Sequence, residues 1–314
     1  MESRSFVLEA SDGVPITIHA WDTPPGVSTR AIFQISHGMA EFALRYDGFA
    51  SYATRHGYFV YAADHRGHGQ TAGSLGKLGH LADRDGFVRV MEDQRELALE
   101  LGKRHPSLPI VLLGHSFGSF IAQMIIERHG NLFSGCVLSG TRGPDPARVF
   151  AGRVLARVVS LVSGGRTPSP FLTNLSFGSY NKKIPDATSP NSWLSRDPAV
   201  VEEYDASPWC GFPCTAGFYR DLMDGLSAIH KPWAIAGVPP ALPVMLLSGS
   251  EDPVGSYGKT VSRLAELYRE SGVFDVSLVM NEGGRHESLN ETNRDAVMAD
   301  IVAWADRVTG KKPL

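Results

Sequence analysis

The chain has 314 residues, 43% of them hydrophobic and 20% charged, a composition suited to a globular protein with a substantial core rather than to a disordered or fibrous one. A formal net charge of −3 excludes the basic footprint of a nucleic-acid binder and the polybasic patch of a protein held on anionic lipid. The 33 glycines and 20 prolines fall at the ends of apolar runs, where they punctuate turns.

The N-terminal stretch "MESRSFVLEA" places Glu2, Arg4 and Glu9 where a secretory leader needs an apolar segment, so none is expected. "SFVLE" and "PITIHAW" follow as two β-branched runs joined through "SDGVP", an antiparallel hairpin at a sheet edge. Six further runs end in turn residues: "AIFQIS", "YFVYAAD", "IVLLG", "GCVLSG", "VMLLSG" and "DVSLVM". Helical patterns separate them. "RYDGFASYATRHG" follows the third run, "DRDGFVRVMEDQRELALELGKRH" precedes the fifth, and "SFIAQMIIERHG" follows it, closing on Gly130. The charged part of the second helix reads as a solvated face. Alternation of strand and helix predicts a mostly parallel, eight-stranded α/β sheet with helices on both faces.

The alternation breaks between residues 145 and 237. An apolar helix bearing Arg148, Arg153 and Arg157 is followed by Pro- and Ser-rich loops and by short helical pieces such as "PAVVEEY" and "TAGFYRDLMDGL". We read a core domain of residues 1–144 and 238–314, interrupted by a helical cap of residues 145–237. The arginine-bearing helix either packs on the main domain or touches lipid through one face. The longest apolar stretch, "WAIAGVPPALPVMLL", is broken by three prolines, so no membrane span is expected. Cys136, Cys210 and Cys214 form no disulfide framework and read as packing thiols in a reducing, cytoplasmic compartment. Cys210 and Cys214 are i, i+4 neighbours if that segment is helical.

Within "IVLLGHSFGSF" the pattern G-x-S-x-G stands between an apolar strand and a periodic helix, and this context makes Ser116 a candidate nucleophile on a strand-to-helix corner. Gly114 and Gly118 would allow the close backbone approach that such a corner needs. A serine hydroxyl attacks only when a base takes its proton and an acid orients that base. On such a corner the partners follow in the order serine, acid, histidine. After the insertion only His286 remains among the 11 histidines, in "MNEGGRHESLN". The acid is expected after "VMLLSG", where "SEDPVG" offers Asp252 with Glu251 as the alternative; Pro253 and the shorter side chain favour Asp252. Asp275, at the start of a strand, reads as structural. The oxyanion donors expected are the backbone N–H groups of Phe117, next to the nucleophile, and of Met39 in "QISHGMAEF". His37 precedes the nucleophile and is expected to stabilise its loop. In "AADHRGHGQTAG" the spacing of Asp64, His65, Arg66 and His68 fits neither a phosphate loop nor a helical zinc site, so the loop reads as a buttress for the oxyanion turn. No metal and no organic cofactor are expected.

The segments "SHGMAEF", "DHRGHGQTAG", "GHSFGS", "WLSRDPAVVEEYDASPWCGFPCTAGFYRDL", "SGSEDPVG" and "GGRHESLNETNRD" together resemble the α/β-hydrolase superfamily, in its monoacylglycerol lipase and lysophospholipase-like branch. The resemblance covers nearly the whole chain. It implies an α/β-hydrolase fold, Ser116 as nucleophile, Asp252 as acid, His286 as base, Met39 and Phe117 as oxyanion donors, and a cap over an acyl pocket. It further implies hydrolysis of a small-molecule ester of monoacylglycerol or lysophospholipid type, through an acyl-enzyme; the alternatives are short-chain or aryl esters, or a catalytically silent hydrolase fold that binds a hydrophobic ligand, and the arginine-bearing helix leaves transient membrane contact through the cap open. The chain departs from the pattern at Phe117 and Ser119, where the resemblance favours Met and a further Gly, so the Phe117 ring is the expected point of difference in substrate choice. Phe150, Leu155, Phe171 and Phe177 in the first half of the cap, and Trp193, Trp209, Phe212 and Phe218 in the second, either line an acyl tunnel or form the cap's own core.

Overall fold

The computed structural model describes residues 3–185 and 187–310; Glu2, one of the charges that argued against a leader, lies outside them. Each of the eight β-branched runs forms a strand: β1 Arg4–Glu9, β2 Pro15–Trp21, β3 Ala31–Ser36, β4 Tyr58–Ala63, β5 Ile110–His115, β6 Gly135–Ser139, β7 Val244–Gly249 and β8 Val276–Asn281. They hydrogen-bond in the order β1-β2-β4-β3-β5-β6-β7-β8. The β1–β2 hairpin is antiparallel and β2 also runs against β4, whereas β3 to β8 are parallel to their neighbours.

The inner strands are apolar along their length because both faces are covered. Side chains alternate across the sheet. Ile32, Leu112, Leu138 and Leu246 join one core with α2 Gly86–Arg104, α3 Phe117–His129 and α9 Lys259–Glu270. Phe33, Leu113, Val137 and Leu247 join the other, with α1 Asp47–Arg55 and α10 Arg294–Val308. The charged stretch of α2 is not wholly solvated. Asp93 and Gln94 turn inward, Asp93 accepting from Arg66 at 2.6 Å and the Gln94 side chain accepting from Gln34 at 2.9 Å.

Register fixes where the parallel strands end. Ser36 pairs with Ala63 and Gly114, His115 with Ser139, Ser139 with Leu247, and Gly249 with Asn281. The loops after β3, β5, β6, β7 and β8 therefore emerge along one edge, where ligands of open α/β sheets bind.

Between β6 and β7 the chain forms α4 Pro146–Ser163, α5 Pro170–Phe177, α6 Pro198–Ala206, α7 Ala216–Ile229 and the short α8 Pro232–Ile235. Three of these helices start with a side-chain cap followed by proline: Asp145 accepts from Arg148 N–H, Ser169 from Leu172 N–H and Asp197 from Ala199 N–H. One of these starts turns a Pro- and Ser-rich stretch into α5. The arginine-bearing helix α4 packs on α7, which in turn packs on α2 and α3, and its Val149 and Ala156 join the same core as one face of the sheet. Arg153 and Arg157 both pair with Asp224 of α7. Cys210 and Cys214 are buried free thiols in a non-helical segment.

Candidate active site

Ser116 sits at the end of β5 with φ 51° and ψ −119°, in the left-handed region that a residue with a side chain enters only under tight constraint. Its N–H bonds to Ser139 O at 2.9 Å, and its own carbonyl accepts from Ser119 N–H and Phe120 N–H in the first turn of α3. The constraint comes from close packing of α3 on β3: a Cβ on Gly118 would stand 1.9 Å from Ser36 O, and one on Gly114 would stand 2.5 Å from Gly118 O. Both glycines of the motif are thus needed for close approach, as the sequence suggests.

The loop after β7 presents Asp252, fully buried, and the loop after β8 presents His286, 1% exposed. His286 Nδ1–H donates to Asp252 Oδ2 at 2.9 Å, and the other carboxylate oxygen accepts from Val254 N–H at 2.9 Å. Asp252 rather than the exposed Glu251 therefore orients the imidazole. Burial disfavours the imidazolium, but the Asp252 carboxylate outweighs it and holds the His286 pKa above the ordinary histidine value. Nε2 of His286 faces no hydrogen-bond partner among the described residues. Gly140 leaves room for both imidazoles: a Cβ there would lie 2.9 Å from those of His115 and His286. The two rings stand 4.7 Å apart. Asp275 lies elsewhere, paired with Arg307.

The turn after β3 supplies the second set of backbone donors. Gly38 N–H is taken by the Glu41 carboxylate and Ala40 N–H by His68 Nε2 at 3.2 Å, whereas Met39 N–H has no partner among the described residues. Phe117 N–H, the first of α3, is likewise unpaired. Two free amides therefore flank Ser116, one of them at a helix N-terminus with the favourable end of its dipole.

Three neutral imidazoles hold this turn. His37 Nδ1–H donates to Gly38 O at 2.8 Å and its Nε2 accepts from His65 N–H at 2.9 Å. His65 donates to His37 O at 3.1 Å, and His68 Nδ1–H donates to Arg66 O at 2.9 Å. Burial lowers the pKa of all three, His68 to about 4, so each keeps the tautomer its partners require. Asp64 accepts from His19, Ala43 N–H and Gln70 N–H. The loop after β4 is thus a buttress.

Other participants are not evident from the motifs. Arg45 reaches Glu41 and Glu287 with bonds of 2.6 Å each and covers the Tyr204 ring at 4.9 Å. Burial opposes ionisation of Glu287, but Arg45 more than compensates and keeps it well below the usual carboxylate range. Tyr204 OH and Gly211 N–H both donate to Ala40 O at 2.9 Å. The oxyanion turn, the histidine loop and the insertion are therefore joined through one buried ion network. Glu41 and Arg45 form an i, i+4 pair visible in "EFALR"; Glu287 is 242 residues away and carries no local signal.

The Phe117 side chain takes the core, one of the two directions open to it. Its ring is 1% exposed, lies 5.1 Å from Phe218 and meets Phe87 and His65 edge-on, so it faces the core beneath the nucleophile. Trp193 is instead the aromatic in contact with the base, 4.8 Å from the His286 ring. Of the other aromatic candidates, Phe150 and Phe171 are largely exposed and Phe177 stacks on Trp193.

Comparison with known proteins places the chain in a family. The family model described as serine aminopeptidase, S33, matches residues 27–293. A monoacylglycerol lipase of Mycolicibacterium smegmatis is 32% identical, the match covering 93% of each chain. The human monoglyceride lipase is 30% identical over 96% of this chain and 90% of its own. Among solved structures, a thermostable carboxyl esterase from Bacillus coagulans in complex with glycerol superposes with a TM-score of 0.90 at 26% identity, covering 98% of this chain and 99% of that one. A soluble variant of Saccharomyces cerevisiae monoglyceride lipase, at 18% identity, 98% and 94% coverage and a TM-score of 0.74, shares the fold.

Proposed function

The chain belongs to the α/β-hydrolases of the S33 family, in the monoacylglycerol lipase-like branch, and from that premise we propose that it cleaves carboxylic esters of monoacylglycerol or lysophospholipid type through Ser116, His286 and Asp252. What supports the mechanism is the buried His286–Asp252 pair together with a serine held at positive φ, whose neighbour His115 lies 4.7 Å from the His286 ring. Ser116 Oγ attacks the ester carbonyl carbon while His286 Nε2 accepts its proton. The tetrahedral oxyanion is held by the free N–H groups of Met39 and Phe117. His286 returns the proton to the departing alcohol, and water, activated by the same nitrogen, releases the acid from Ser116.

The helices of residues 145–237 form the cap in this reading. On α4 the exposed side chains Phe150, Val154, Val158, Leu161 and Val162 recur at helical spacing, and α5 adds Phe171 and Leu175. Such an unpaired apolar face supports transient docking on a lipid interface, where substrates of this class reside.

The test is hydrolysis of a panel: aryl esters, monoacylglycerols and lysophospholipids of graded chain length, with an aminoacyl anilide for peptidase action. Monoacylglycerols or lysophospholipids are expected to give the highest kcat/KM, and Ser116→Ala to abolish both turnover and fluorophosphonate labelling. Undiminished turnover in that variant would overturn the nucleophile. A preference for the anilide would overturn the substrate class.

A further inference from the structure

Trp193 is 6% exposed, and its indole nitrogen is a buried donor with no partner among the described residues. Leaving such a group unpaired is costly, and native structures do so at few positions, among them sites that complete the bond with a ligand. The ring is firmly held. It stacks on Phe177 with centroids 5.6 Å apart and planes at 11°, meets Tyr180 edge-on at 4.9 Å, and lies against the His286 ring at 4.8 Å. Its backbone carbonyl accepts from His286 N–H at 3.3 Å, and the next carbonyl, of Leu194, accepts from Glu287 N–H at 2.8 Å. Two buried, unpartnered nitrogens of opposite character thus belong to rings in direct contact: the acceptor Nε2 of His286 and the donor Nε1–H of Trp193.

We propose that Trp193 Nε1–H is the donor that recognises a hydroxyl oxygen on the leaving alcohol, making the site selective for esters of polyols over esters of simple alcohols. The inference rests on the ester-hydrolase reading above. In acylation the bond between the carbonyl carbon and the alkoxy oxygen breaks, and that oxygen takes the proton from His286 Nε2. The departing alcohol must therefore lie against His286, and the substituents it carries meet the indole packed on that ring. A hydroxyl there satisfies the indole N–H; a hydrocarbon leaves it orphaned, and a polar site rejects such an analogue more strongly than an apolar one would.

The experiment compares a monoacylglycerol with the ethyl ester of the same fatty acid in wild type and W193F, with rates expressed per active site titrated by fluorophosphonate. Phenylalanine keeps an aromatic ring against His286 and Phe177 and removes the donor with part of the ring's volume, a packing loss that both esters share, so the readout is their ratio. W193F is expected to lower the ratio of kcat/KM for the glyceryl ester to that for the ethyl ester about 5- to 10-fold, the scale of one neutral hydrogen bond. An equal fall on both esters, or no change on either, overturns the role of Trp193 and leaves the ester-hydrolase reading standing. A wild type that is labelled by fluorophosphonate yet hydrolyses neither ester overturns both.

Discussion

At the scale of single residues the proposed mechanism makes the protonation state of His286 decide whether Ser116 can react, because only the neutral imidazole accepts a proton. The Asp252 carboxylate stabilises the imidazolium and holds its pKa above the ordinary value of about 6.5 despite burial. Activity should therefore fall as pH drops through a value above 6.5, read as the acid limb of kcat/KM against pH. Asp252→Asn removes the charge but not the burial, so the limb should move to lower pH while kcat falls on the order of 10³- to 10⁴-fold; Glu251→Gln should change neither. An acid limb that stays in place in Asp252→Asn would assign it to another group. The His286–Asp252 hydrogen bond was legible because chain order left one histidine and two adjacent acids, and the turn at Pro253 favoured the shorter acid. Trp193 and Phe117 were legible only as aromatics. Which of them meets the base depends on side-chain direction across an insertion, and nothing local in the sequence encodes that.

Among elements, the contact between α3 and the end of β3 carries both the nucleophile and the oxyanion turn. Gly118 makes it possible: an added Cβ would lie 1.9 Å from Ser36 O and 2.5 Å from His37 O, backbone atoms that cannot move without displacing the turn. Gly118→Ala should destabilise the fold by about 3 kcal/mol or more, a fall in Tm on the order of 5–10 °C, with loss of ester turnover at temperatures where the variant is still folded. The same substitution at Gly102, exposed near the end of α2 with nothing within 4 Å of its Cβ position, should raise stability by roughly 0.5–1 kcal/mol. Thermal unfolding of the two variants measures both signs; equal effects would sink the packing argument. The elements themselves were plain in the sequence where burial on both faces makes a strand read as an unbroken apolar run. They were not plain in the insertion. There the helix starts are set by capping side chains, as at Ser169 and Pro170, and Asp224 draws Arg153 and Arg157 across to α7, a partner that periodicity does not reveal.

For the molecule as a whole, the proposed function would make the exposed face of α4 and α5 and the buried site work together. Leu161 is 86% and Val162 82% exposed at the end of α4, and Phe171 and Leu175 stand out from α5. Along α5 the exposed Phe171 and Leu175 give way to Phe177, which stacks on Trp193, which lies on His286. An acyl chain drawn from a lipid interface would then follow α5 inwards to the base. No helix among the described residues is long and apolar enough to cross a membrane. Replacing both Leu161 and Val162 by Asp removes apolar area worth on the order of 1–2 kcal/mol per side chain in lipid and adds two charges near the headgroups. Neither side chain supports the fold, so Tm should stay within about 2 °C of wild type. Partitioning to phosphatidylcholine vesicles containing monoacylglycerol should weaken at least about tenfold, and turnover of that substrate in the vesicles should fall with it. Hydrolysis of a monomeric butyrate aryl ester, which needs no interface, should remain within about twofold. If the aryl ester and the vesicle substrate decline together, the face serves the site's internal geometry; if neither declines, the chain collects its substrate from solution.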